Sequence, residues 1–178
     1  MQHLKDTGVS IPCKYTSFLQ PMSSSKLHND IRGWKENSNF ETIYVVKFHN
    51  AQTHGKILPC FTFCHPDTDN EGLERHHSMT WTMDQSALIH GFAGYFDAEL
   101  YKDVTISINP DTHTPNMGSW FPVYIPVIQP YNVTAGQKIT AHFWRKCNQR
   151  KVWYEWAITE PIASPVHNPN GNTYALEK

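Results

Sequence analysis

The sequence predicts a mainly β fold: a single elongated antiparallel β-barrel or sandwich with one short inserted helix. Three observations carry this. Short runs rich in β-branched and aromatic residues recur along the chain, separated by Gly, Pro and Asn turns, as in sandwiches and barrels. Several of those runs alternate apolar with polar residues, the period of a strand with one buried face. Helical periodicity is confined to one segment near the N-terminus.

That segment comes first. Ser23-Ser24-Ser25 precedes Lys26 to Trp34, and serine is a good helix N-cap. Leu27, Ile31 and Trp34 stand at i, i+4 and i+7, on one helical face. Tyr44-Val45-Val46-Lys47-Phe48 then reads as an apolar strand, followed by a second from Ile57 to Cys64 and a polar loop from His65 to Glu74. In Ser78-Met79-Thr80-Trp81-Thr82-Met83 the alternation sends Met79, Trp81 and Met83 to one face and the hydroxyls to the other. Gly91 and Gly94, set among aromatics in Ile89 to Phe96, mark a strand that bends sharply or is approached closely by another backbone. Thr105 to Ile108 alternates again. Ile139 to Trp144 and Val152 to Ile158 flank Lys146 to Lys151 as an antiparallel hairpin.

At 178 residues the chain makes one domain. Apolar residues are only 39%, but aromatics are 13%, and these bury a large area each, so a sizeable core is within reach. Charged residues are 17% and the formal net charge is −1, which gives no footprint for nucleic acid or a membrane surface. No run approaches the roughly 18 apolar residues that span a bilayer. The polar start, Met1 to Asp6, is unlike a signal peptide. Four cysteines are too few for a disulfide scaffold of this length, so a reducing intracellular compartment is expected.

Motifs of catalysis are absent from the sequence: it has no GxSxG, HExxH, P-loop or GxGxxG. Cys60 and Cys64 are four apart on a predicted strand, about 13 Å at ~3.3 Å per residue, too far to share one metal ion. Trp153-Tyr154-Glu155-Trp156 reads as core packing on at least one face, with a carbohydrate platform or aromatic cage as the other reading. The most unusual stretch is Pro115 to Pro126. A Pro/Asn/Gly turn delivers Trp120 and Phe121 into a strand carrying Pro122 and Pro126, and proline confines a strand to an edge or rim. Aromatics at a rim suit either core packing or contact with a cation, whose charge an indole face attracts.

Ser119-Trp120-Phe121-Pro122 resembles the substrate-facing loop of the protein arginine N-methyltransferase 5 family, the type II (symmetric) arginine methyltransferases. The likeness extends to Gly8 to Pro12 with Tyr15 to Leu19, Ser23 to Leu27, Cys60 to Phe63, His90 to Phe96, Lys151 to Ala157 and His167 to Pro169. It covers the chain from Gln2 to the C-terminus and is similar to that family's C-terminal β-barrel domain. The resemblance implies a linker over residues 1–20, a barrel domain over 21–178 and a helical dimerisation arm near 22–35. In such enzymes S-adenosylmethionine donates a methyl group to arginine side chains in proteins such as histones and Sm proteins, in the cytoplasm and nucleus. The implied substrate-binding residues are Ser119, Trp120 and Phe121, with Trp120 on the arginine and its neighbours on the peptide backbone. Ser24, Leu27, Ile31 and Trp34 are implied to face another protomer.

The family's cofactor-binding domain and its pair of catalytic glutamates have no counterpart in this sequence. The chain is therefore expected to hold no catalytic residue, no metal and no cofactor of its own, and to be inactive alone. Its implied partners are arginine-containing protein substrates and a second copy of itself, without direct contact to nucleic acid or membrane. The other function it suits is a free-standing β-barrel module that binds Arg-rich peptides.

Overall fold

The computed structural model describes residues 5, 8–33, 37–67 and 73–178. The chain runs β1 (Lys14–Ser23), α1 (Ser25–Arg32), a 3-10 turn (Asn37–Glu41), β2 (Tyr44–Val45), β3 (Gln52–Thr53), β4 (Leu58–Cys64), β5 (Arg75–Thr82), β6 (Ala87–Tyr101), β7 (Val104–Ser107), β8 (Val123–Val133), β9 (Lys138–Cys147), β10 (Lys151–Glu160), a second 3-10 turn (Pro169–Gly171) and β11 (Leu176–Glu177). Residues 14–20, expected within the linker, form most of β1, which pairs with β3, β4 and β6.

The strands make two antiparallel sheets. One has the order β2-β8-β6-β1-β3, with β4 also on β1 and β7 also on β6; the other has the order β11-β10-β9-β5. Among the described residues no ladder joins the sheets into a closed barrel. The main core lies between them. Met79 and Trp81 point into it from β5 and Met83 from just beyond its end, Ile139, Ala141 and Phe143 from β9, and Trp156 and Ile158 from β10, while Ser78, Thr80 and Thr82 are exposed. Alternation sends the other side of β1, β6 and β8 into a second cluster of Met22, Ala93, Tyr95 and Tyr124, which Ile31 of α1 and Phe40 cover.

The strand β6 is the longest, with 15 residues. Its ladder with β8 shifts register between Ile89 and Gly91. A Cβ at Gly91 would lie 2.2 Å from the Ile125 carbonyl oxygen, so only glycine lets the two backbones approach this closely. β8 meets β2 only at Tyr44–Tyr124 and Val45–Val123, so most of its outer side carries no described ladder. That is where its prolines are tolerated, and Pro126 puts its carbonyl to use by accepting the indole N–H of Trp156 at 2.7 Å.

Both faces of the Trp153 to Trp156 stretch are buried. Trp156 belongs to the main core and the half-buried Tyr154 packs against it, and Trp153 lies under Gly171, where an added Cβ would come within 2.6 Å of its ring. Asn168, in the left-handed region at φ 54°, fixes this tail: its amide donates to the carbonyls of Tyr154 and Tyr174 at 2.9 and 2.8 Å, and its oxygen accepts from the N–H groups of Thr173 and Tyr174.

Candidate functional site

The aromatic loop from Pro115 to Pro122 is anchored at both ends. Upstream, Asp97 of β6 accepts from the hydroxyls of Ser107 and Thr112. Thr114 closes the same turn, its hydroxyl taking the Ser107 N–H at 2.9 Å and its own N–H donating to the Ser107 carbonyl at 3.0 Å. Downstream, the Val46 N–H donates to the Pro122 carbonyl at 3.0 Å, just before β2 pairs with the start of β8. Between these anchors Asn116 takes a positive φ of 63°, and Ser119 and Trp120 stand in solvent.

Trp120 is 55% exposed. Its ring meets Phe96 of β6 edge-on, with centroids 5.5 Å apart and planes at 74°. Phe121 is half-buried and carries the Lys47 ammonium 4.8 Å from its ring centre. The sequence places Trp120 and Phe121 at the entrance to a strand; the structure puts β8 two residues later, so both remain in the loop. An exposed indole supported on one side by a ring and displayed by a fixed turn can take a cation.

The four residues expected at a protomer contact have different fates. Ser24 is the N-cap of α1, 2% exposed, its hydroxyl accepting from the Leu27 N–H at 3.3 Å. Ile31 is 5% exposed in the second core cluster, and Leu27, half-buried, packs against the same cluster. Trp34 lies outside the described residues. His28, on the same helix, is buried against Phe40 and His90 and bonds to the Val127 carbonyl at 3.2 Å; burial first, then the neighbouring His90, hold its ring neutral by lowering its pKa.

Cys60 and Cys64 do share one strand, β4. All four cysteines are unpaired, and burial pushes the Cys60 thiol up to about 12. No three His, Cys, Asp or Glu converge on a metal position among the described residues. Sequence reasoning did not single out Phe96 and Asp97, which hold the aromatic loop. It also missed His76 and His142, far apart in sequence, whose ring nitrogens lie 3.1 Å apart beside Trp144. Pairing across β5 and β9 brings those histidines together, and no local motif announces it.

A family model described as the PRMT5 oligomerisation domain matches residues 14–176. The chain belongs to this family. The PRMT5 domain is shared at 48% identity with protein arginine N-methyltransferase 5 of Xenopus laevis, over 98% of this chain and 29% of that protein. It is 50% identical to the protein of the same name from Oryza sativa subsp. indica, over 96% of this chain and 27% of the relative. Protein arginine N-methyltransferase skb1 of Schizosaccharomyces pombe matches at 32% identity, over 98% of this chain and 32% of its own length. The chain thus spans about a third or less of the curated relatives it matches. The solved PRMT1 enzyme–prozyme heterotetrameric complex with AdoHcy from Trypanosoma brucei has a TM-score of 0.71 at 10% identity, covering 98% of this chain and 61% of that one. At that identity the likeness is one of fold. No described helix is long and apolar enough to cross a membrane.

Proposed function

We propose that this PRMT5-type domain forms the substrate-facing wall of a type II arginine methyltransferase and mediates its self-association. The observation that carries the reading is Trp120, a large aromatic left 55% exposed on a loop fastened at both ends. A guanidinium over an indole face gains roughly 0.5–2 kcal/mol, and this holds the arginine side chain for attack on a methyl donor. Ser119 and Phe121, on either side, meet the substrate's peptide backbone.

S-adenosylmethionine supplies the methyl group in this reading. A nucleotide-like group is ordinarily received by a glycine-rich turn opening a helix. Here α1 is preceded by serines, and the cap position is filled by the buried Ser24. This chain's residues do not fit the donor, so its site belongs to the larger part of the relatives that the chain does not span, and the chain alone is inactive. The arginine substrates, in proteins such as histones and Sm proteins, meet the enzyme in the cytoplasm and nucleus.

Self-association proceeds through the surface around α1. Ser24 and Ile31 are committed inside the subunit, so they act by holding the helix in place, and the half-buried Leu27 provides the contact.

The test is a full-length enzyme carrying this domain with Trp120→Ala, assayed on Arg-Gly peptides. Loss of most methylation with the protein folded supports the reading, and normal methylation overturns it. Saturable binding of the same peptides by the isolated chain, without any activity in the full-length enzyme, favours the free-standing peptide-binding module instead.

A further inference from the structure

Between the two sheets, directly beneath the aromatic loop, lies a cleft of about 270 Å³. Half of its lining residues carry rings, among them Phe18 from β1, Phe61 from β4, Phe96 from β6, Phe143 from β9, Tyr154 from β10, and Phe121 from the loop itself. Among the described residues no Asp, Glu, Lys, Arg or His lines it. Cys60 contributes a thiol, which burial keeps protonated at neutral pH, so it presents an S–H and no nucleophile.

We propose that this cleft is a binding site for a small, uncharged, flat aromatic group, held without a covalent bond, and that its occupant sets the position of Trp120. The chemistry of the lining selects the ligand. A charged or strongly polar group would lose its hydration with nothing ionised to replace it. An aromatic ring meets other rings edge-on or offset, at separations that walls of this kind provide. The volume is sufficient, since an apolar cavity of ~150 Å³ already admits benzene.

The coupling to the loop is a matter of shared side chains. Phe96 lines the cleft and is also the ring against which Trp120 rests, at 5.5 Å. Phe121 lines the cleft and is the residue that follows Trp120. An occupant that packs against Phe96 or Phe121 repositions that ring, and the movement is passed to the exposed indole. Only the functional meaning of that movement rests on the substrate-facing reading. Binding and displacement are measured on the chain alone, without substrate or donor, so the two readings fail separately.

Fluorobenzene serves as the probe, followed by fluorine NMR on the 178-residue chain. The expected result is saturable broadening of the fluorine signal, together with a shift of the Trp120 indole N–H resonance, assigned by its absence in Trp120→Phe. Cys60→Met fills the cleft from within and should weaken the probe by at least about tenfold while leaving the thermal midpoint at or above that of the parent. If Cys60→Met does not fold, Ile43→Phe, at another wall of the cleft, is read in its place. Absence of saturable broadening in the parent, or undiminished binding by a folded filling variant, overturns the site. Binding that leaves the Trp120 resonance unmoved overturns the coupling.

Discussion

Trp120 and Phe96 touch ring edge to ring face, 5.5 Å between centroids and 74° between planes, and this contact supports an indole that is otherwise mostly in water. A contact of that kind contributes about 0.5–1.5 kcal/mol. Trp120→Ala in this chain should therefore lower unfolding stability by about 1 kcal/mol, whereas Trp156→Ala, at 1% exposure in the main core, should cost about 3–5 kcal/mol. Urea unfolding of both variants checks this. Equal losses would show that Trp120 is a packing residue.

The helix α1 separates into a buried and a half-buried part, and two substitutions should separate its roles. Ile31→Ala removes a side chain that is 5% exposed and should destabilise by about 2–5 kcal/mol. Leu27→Asp, at a half-buried position, should destabilise less than Ile31→Ala and weaken self-association. Sedimentation velocity across a concentration series reads the second effect. A folded Leu27→Asp chain that associates like the parent would remove Leu27 from the contact.

Acid should destabilise the fold through its buried histidines. His167 stacks on Trp156, accepts the Ile128 N–H on Nε2 at 3.1 Å and faces the Trp156 carbonyl through Nδ1 at 3.2 Å. Accepting at Nε2 makes it a neutral ring with its proton on Nδ1. Burial is the leading cause that lowers its pKa, and also those of His28, His54 and His90. The unfolded chain takes up these protons near pH 6.5 and the folded chain only at lower pH. The contribution is thus complete above about pH 6.5 and is lost as pH falls through the folded values. The thermal midpoint should drop between about pH 7 and pH 5; a flat profile over that range would contradict the assignment.

Gly91→Ala should be among the most damaging conservative changes in the chain. The new methyl would meet the backbone of β8, with the Ile125 oxygen at 2.2 Å, and neither strand can step aside without breaking its ladder. The expected loss is at least about 1–3 kcal/mol, the range for overpacking a filled interior. Gly136→Ala is the control: no atom lies within 4 Å of an added Cβ there, so only the turn's positive φ is strained. Circular dichroism melts compare the two, and a smaller effect at Gly91 than at Gly136 would refute the close approach.

Local pattern made much of this fold legible. The alternation of Ser78 to Met83 gave its buried face residue by residue, the flanking runs around Lys146 to Lys151 gave the β9–β10 hairpin, and Ser24 capped the helix as its position suggested. Glycine among aromatics marked the place where another backbone comes close to β6, at Gly91. What could not be read is what pairing across the sheets assembles. Phe96 and Trp120 are 24 positions apart and meet only because β6 and the loop before β8 fold together. The apolar cleft has no sequence signal at all, since each of its rings looks like an ordinary core residue. The fate of α1 was only half legible: periodicity found its apolar stripe, but the stripe's cover, Met22 and Phe40, comes from elements whose packing no helical pattern reveals.

The strand β1 is synthesised before the other described strands, yet its longest partner is β6, whose residues from Gly91 to Glu99 pair with Met22 to Lys14. On the ribosome β1 must wait for some 70 further residues before that ladder can close. Pairings so distant along the chain close slowly, because the intervening loop must give up its freedom before any contact rewards it. In the interval β1 presents an unpaired, aromatic-bearing edge, the kind of surface on which nascent chains associate wrongly or chaperones bind. Production of this domain should therefore depend on how quickly translation passes Tyr101, and slow codons placed just before β6 should cost yield more than the same codons placed after β10.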